Sequence, residues 1–406
     1  MNRSYLIRGK KIVTVSPAGT IHDGAMAICD GKIVDVGKWK NLRKRYPDLT
    51  LQDCSDYAIT PSLVDCHTHL LEFAPSSLYP ITPETHFLGG KAILLGALSS
   101  GITALGEQIC GHHLCDFSMA DYKNALQDLP LDVTFAATSI SIGFKQMAHF
   151  TSITQSKPVS QSTLSDQELV KKIAETSEFP GENIFINATP ANFTSDQVPN
   201  AGEIIYTSEE LKKISDIYHQ AGKKMGAHVA GEEGIRMALE AGIDVLHHAH
   251  GITKELIERA AAQDVAIVAT PMGGTHLEPN SPKNILTLVQ KKIPVAIATD
   301  SYLPPYQGAS WLPFTDNSLQ GPDVLMIIAH PAMRLLEEHG YDENAILALL
   351  TANPAKIMGK ESRYGSLVPG MEANFLVAEG VPGLEITEAD QIKEVYFRGV
   401  KVIQRL

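Results

Sequence analysis

The chain reads as an α/β protein: a (β/α)8 TIM-type barrel carrying a small β-sandwich domain built from both chain ends. Three observations predict this. Eight short apolar runs alternate with amphipathic stretches between residues 61 and 360, the rhythm of βα units and a parallel sheet. Closely spaced β-branched runs fill residues 1–60 and return at 361–406, so the two ends are expected to complete one small sheet with the barrel inserted between them. No glycine-rich phosphate loop follows the first barrel run, which argues against a doubly wound open sheet.

Taken in order, residues 5–15 (YLIRGKKIVTV) alternate, residues 24–29 follow a His22-Asp23-Gly24 turn signal, and Asp30-Gly31 leads into 32–36. The barrel runs are 63–67, 102–105, 132–138, 183–188, 224–228, 244–248, 265–270 and 295–300. Between them lie well-marked helices. Thr207-Ser208-Glu209-Glu210 opens one, with Leu211, Ile214, Ile217 and Tyr218 at helical spacing, and Gly222 stops it. Residues 231–241 and 253–262 repeat the pattern. Two connections, 139–165 and 301–322, exceed the roughly 12–15 residues of ordinary loops. Both leave the C-terminal ends of strands, so they are expected to be lids.

Composition narrows the function. The 406 residues are 44% hydrophobic and 20% charged, enough for a sizeable core and too apolar for disorder. A net charge of −12 argues against nucleic acid or an anionic membrane as partner. The one basic run, Lys38 to Arg45, reads as a solvated helix face. Five cysteines, Cys29, Cys54, Cys66, Cys110 and Cys115, show no disulfide-scaffold or CxxC spacing. The start shows no apolar stretch with a cleavage site, and no apolar run approaches the ~20 residues that span a bilayer. A reducing cytoplasmic setting is expected, with a small-molecule substrate; the size of the chain is compatible with a homo-oligomer.

The strongest chemical signal is His67-Thr68-His69 at the end of the first barrel run. Residues i and i+2 of a strand point the same way, so both imidazoles face the barrel axis. Three further runs end in metal-type residues: His228, His248 and Asp300. A single polar residue at a strand end is ordinary; four strand ends converging on histidines and an aspartate point to a divalent-metal site at the barrel mouth, where such active sites sit. Imidazole and carboxylate suit zinc first, and iron or manganese also.

With these residues in view, the chain resembles the amidohydrolase superfamily of metal-dependent hydrolases over nearly its whole length. ICDGKIVDVG (28–37) is similar to its N-terminal sheet signature, ITPSLVDCHTHL (59–70) to its first barrel strand, LTANPAKIMG (350–359) to its late helix and GSLVPGMEANFLV (365–377) to its closing strand motif. The stretch from His228 through Pro271 resembles most the imidazolonepropionase-like and prolidase-like branches. The resemblance implies His67, His69, His228 and Asp300 as metal ligands and His248 as the sixth-strand histidine. Two departures, Pro61-Ser62 and Ala373-Asn374, lie outside the site. A third matters more. Two-metal members carry a bridging lysine carbamate on the fourth strand, where this chain has Phe185, Ile186 and Asn187. One divalent ion is therefore expected. Glu107 reads as a hydrogen-bonding residue or a replacement carboxylate. Deaminases of the family place a glutamate where this chain has Gly231, with Glu232 next to it. Alternation turns His247 away from the axis, as a structural residue. His112-His113 lies on a loop over the mouth, and Tyr302, Tyr306 and Trp311 are candidates for stacking on substrate or packing a lid.

The implied activity is hydrolysis of a non-peptide C–N bond, in a cyclic or linear amide, by metal-activated water. Asp300 would carry the proton to the departing nitrogen and His248 would polarise the carbonyl. The alternatives are an aminohydrolase of a nitrogen heterocycle, which releases ammonia, and a barrel that binds without catalysing, which holds no metal.

Overall fold

The structure, a computed structural model, describes residues 4–111, 116–142, 148–188 and 200–405. The chain begins with β1 (Tyr5–Val13), β2 (Thr20–Cys29), β3 (Lys32–Lys38) and β4 (Thr50–Pro61). β1, β2 and β3 pair antiparallel, and β4 lies parallel to β1. The β2–β3 turn, Asp30-Gly31, has φ of 48° and 81°, the two positive values that a tight primed turn requires. Tyr5, Ile7, Ile12, Met26, Ile28 and Ile59 form the apolar side of this sheet.

After Ser62 the character changes. β5 (Leu63–Thr68), β6 (Ile102–Ile109) and β7 (Asp132–Ala137) form a three-stranded parallel sheet. β8 (Ser139–Ile142), β9 (Ala148–Thr151), β10 (Ile184–Phe185), β11 (Gly226–Ala230), β12 (Val245–His250), β13 (Ala266–Ala269) and β14 (Val295–Ile297) form a second sheet in the order β14-β13-β12-β11-β10-β8-β9. It is parallel except for the β8–β9 hairpin. Every residue of β5, β6, β11 and β12 is buried, as expected of strands covered on both faces. The helix Ser208–Gln220 starts on the expected capping box, with Thr207 and Glu210 bonded reciprocally.

At one edge the chain runs from β7 through Thr138 straight into β8, passing from the first sheet to the second. Thr138 N donates to Ile109 O and Ser139 N to Asn183 O, each at 2.9 Å. At the other edges Asp300 N donates to His67 O and His69 N to Ser301 O, each at 3.0 Å. Asp65 reinforces this seam by accepting from Thr299 Oγ1 at 2.5 Å. The residues that end β5 and follow β14 are thus adjacent.

β15 (Phe375–Ala378), β16 (Ile392–Phe397) and β17 (Val400–Gln404) return to the first sheet, giving the order β17-β16-β15-β4-β1-β2-β3. Both chain ends therefore share one seven-stranded sheet. Arg363 ties it to the parallel strands, donating to both Asp132 oxygens (3.1 and 3.0 Å) and to Glu372 (3.0 Å). Of the two expected lids, 139–165 holds the β8–β9 hairpin and a short helix, Gln161–Leu164, because its Ser-Ile alternation supports strand pairing. The other, 301–322, is pinned by a bridge between Leu303 and Gln320.

Candidate active site

The end of β5 follows strand alternation. His67 and His69 face inward, and their Nε2 atoms lie 3.2 and 3.0 Å from Glu182 Oε2 and 3.2 and 3.5 Å from Asp300 Oδ1. Thr68, pointing the other way, donates to Glu107 Oε2 at 2.6 Å, while Glu107 Oε1 accepts from Leu71 N at 2.8 Å. Glu107 thus fixes the turn that leaves β5; burial pushes its pKa up to about 7.

Glu182, which the sequence reading does not single out, is the carboxylate that the structure brings among these histidines. It precedes β10, its amide donates to Gln108 Oε1 at 2.8 Å, and it is buried. While Oε2 meets the β5 histidines, Oε1 lies 2.6 Å from His228 Nδ1 and 2.8 Å from His248 Nε2. Among the described residues, three overlapping groups can hold a metal ion: His67, His69 and Glu182; His67, His248 and Asp300; Glu182, His228 and His248. His228, expected to join His67, His69 and Asp300 around one ion, instead faces the other oxygen of Glu182 beside His248.

The donor chemistry fits divalent cations. Ligand atoms around a tetrahedral zinc stand about 3.4 Å apart, from Zn–N and Zn–O lengths of about 2.1 Å. The separations of 3.0 to 3.5 Å between the β5 histidines and the two carboxylates match that spacing. His67 Nε2 makes no hydrogen bond to either carboxylate. Thr270 Oγ1 donates its proton to Gly273 O at 2.6 Å, so it accepts from His248 Nδ1 at 2.7 Å and from His250 Nε2 at 3.1 Å. With Nδ1 committed to Thr270, a lone pair on His248 Nε2 would face Glu182 Oε1, acceptor to acceptor, an arrangement that a cation between them would reconcile. The electrostatics agree. Burial lowers the pKa of His67, but Glu182 and Asp300 outweigh it and push the value up to about 10. Burial likewise opposes ionisation of Glu182, yet His67 and His228 hold it well below the carboxylate range. Asp300 is also lowered, His67 outweighing burial.

β12 breaks alternation. His248 and Ala249 take φ of 68° and 49°, and the register with β11 shifts between Val229 and Ala230. Consecutive histidines therefore both face the interior. His247, expected to point away, lies with Nδ1 2.9 Å from His67 Nδ1 and Nε2 3.0 Å from Pro180 O. Gly274 (φ 119°) closes the same wall. A Cβ there would stand 2.3 Å from Asp300 Oδ2 and 2.5 Å from His248 Cε1, so only glycine lets the backbone approach.

Other expected contacts fall elsewhere. Glu232 is exposed at the start of the helix Glu232–Ala241 and pairs with Arg236. Tyr302 is half-buried, its hydroxyl against Gly321, and Tyr306 and Trp311 pack on the main core. His112 and His113 lie outside the described residues. Phe185 stacks on His228, with ring centroids 4.0 Å apart, and joins Cys110, Ile140, Phe150 and Phe73 in an apolar cluster beside the donors.

A model described as "Amidohydrolase family" matches residues 58–402. The chain belongs to the amidohydrolase family. It is a hydrolase of carbon–nitrogen bonds in small molecules. An imidazolonepropionase of Chloroflexus aggregans is 23% identical over 391 residues, covering 88% of this chain and 85% of that protein. One from Pyrobaculum arsenaticum is 42% identical over 74 residues, 16% of this chain and 19% of that protein. Among solved structures, a molinate hydrolase superposes with TM-score 0.71 at 17% identity, covering 98% of this chain and 94% of that one. A Xaa-Pro dipeptidase gives TM-score 0.71 at 16% identity, covering 98% and 99%. These two structures share the fold of this amidohydrolase.

Proposed function

We propose that eight parallel strands, β5, β6, β7 continued by β8, and β10 to β14, close into a (β/α)8 barrel that cleaves an amide C–N bond of a small molecule, and that its mouth would hold two zinc ions, with Glu182 offering one carboxylate oxygen to each donor set. One observation carries this reading: each Glu182 oxygen faces its own pair of histidines, His67 and His69 on one side, His228 and His248 on the other. The bonds from Asp300 N to His67 O and from His69 N to Ser301 O support closure. We assign residues 61–360 to the catalytic barrel, and 1–60 with 361–406 to the small β domain. The reading replaces a single ion on His67, His69, His228 and Asp300 with two sets: His67, His69, Glu182 and Asp300, and Glu182, His228 and His248.

Bound divalent ions supply Lewis acidity toward water and the scissile carbonyl. The residues supply the rest. Glu182 holds the two sets at one spacing. Asp300 accepts the proton of the attacking water and delivers it to the departing nitrogen, so that the C–O bond forms as the C–N bond breaks. His248, tied to Thr270 on one nitrogen and directed at Glu182 by the other, serves as a donor and is not free to polarise the carbonyl. The apolar cluster around Phe185 excludes water from the side of His228. The outward placement of Glu232 favours amide hydrolysis over deamination, because the proton-shuttling glutamate of a deaminase must reach the substrate.

We place the protein in a reducing cytoplasm. The four described cysteines are free, and among the described residues no helix is long and apolar enough to cross a membrane. The test is to strip the protein with a chelator and assay it against imidazolonepropionate, other cyclic amides, dipeptides and N-acyl amino acids. Zinc should then be restored and the assays repeated. Turnover that appears only after zinc addition, without ammonia, is the expected result. Undiminished turnover in stripped protein overturns the metal reading, and ammonia release overturns the amide reading.

A further inference from the structure

The donor set on β5 has a support behind it, and the support is unusual in being a second imidazole. Pro180 O can only accept, so the 3.0 Å contact to His247 Nε2 requires the proton on that nitrogen. His247 is fully buried, and its two ring partners are a carbonyl and another imidazole. A cation there would have no carboxylate hydrogen-bonded to it, so the ring is neutral and Nδ1 is a bare acceptor. The 2.9 Å contact between the two Nδ1 atoms then requires the proton of His67 to sit on Nδ1. That leaves His67 Nε2, facing the space shared with Glu182 and Asp300, as the ring nitrogen whose proton a metal ion can displace.

We infer that His247 is a positioning residue: a relay from Pro180 O through His247 to His67 that holds His67 in the tautomer able to ligate metal. The positive φ of His248 gives the relay its geometry, because on a regular strand His247 and His248 would face opposite sides. The inference rests on the reading of the site as a metal centre, and its tests separate the two claims.

Zinc affinity is measured by competition with a chromophoric chelator for the wild type, His247→Gln and His247→Leu. Glutamine retains an acceptor for His67 and a donor for Pro180 O; leucine keeps similar bulk and neither. The leucine variant is expected to bind the tighter zinc about 10–100-fold more weakly, the range typical of lost outer-sphere support. The glutamine variant should retain most of the affinity. The visible spectrum of the cobalt-substituted protein should change with leucine and not with glutamine. Equal losses in both variants reduce His247 to a packing role and overturn the relay, as does a leucine variant that binds like the wild type. Neutron diffraction on the wild type tests the relay even if the leucine variant does not fold. Deuterium on His247 Nε2 and His67 Nδ1 is expected; deuterium on His247 Nδ1 overturns it. A wild type that binds no zinc while showing these deuterium positions would sink the metal reading and leave the relay standing.

Discussion

The ends of β5 and β12 deliver histidines to the same centre by opposite means. β5 keeps strand alternation: His67 and His69 point inward, and Thr68 points outward to Glu107. β12 abandons it. His248 and Ala249 enter the left-handed region, and adjacent residues His247 and His248 both face inward. A regular strand offers every second side chain to a site. An irregular one offers neighbours, here a donor and the group behind a donor. Bulges and strained dihedrals of this kind concentrate at functional sites, because the strain holds a side chain that regular geometry would turn away.

Three substitutions probe this contrast, from the largest effect to the smallest. Asp300→Asn keeps the shape of the β5 donor set and removes the carboxylate that moves the proton. Turnover should fall by roughly 10²–10⁴-fold with an unchanged circular dichroism spectrum; near-native kcat would remove Asp300 from the chemistry. Thr270→Val acts on the irregular end by taking away the acceptor of His248 Nδ1. About a 10–100-fold loss of affinity is expected for the ion on the Oε1 side of Glu182, with the β5-side ion retained. Equal loss of both ions on graded dialysis would mean that the two ends are not separately supported. Arg363→Met acts far from either end, on the clamp between Asp132 and Glu372. It should cost about 1–2 kcal/mol in thermal or urea unfolding and leave kcat/KM unchanged. A fall in kcat/KM would show that the terminal sheet shapes the site.

The same contrast explains what was legible in the sequence. Each of the eight apolar runs has a strand, and the capping box at Thr207 marks a helix start, because alternation and capping are local. His67, His69, His228, His248 and Asp300 were legible as strand-end residues for the same reason. The inward turn of His247 was not, since a positive φ at a non-glycine residue leaves no mark on hydropathy. Glu182 was not legible either. It precedes β10, and its carboxylate reaches the site from outside the two-residue strand, whereas the resemblance puts a bridging lysine at Phe185, Ile186 or Asn187 and offers Glu107 as the replacement carboxylate. The hint in the sequence is an acid, Glu182, between Gly181 and Asn183, at the entry to a strand that otherwise brings no candidate donor.

In the proposed centre, Glu182 joins the two donor sets through its two oxygens. The most direct test is metal content per chain, by elemental analysis, for the zinc-reconstituted wild type and for Glu182→Gln at matched protein concentration. Two zinc equivalents in the wild type, with the variant retaining at most the site completed by Asp300, is the predicted result. One equivalent in the wild type, unchanged by the substitution, would contradict it.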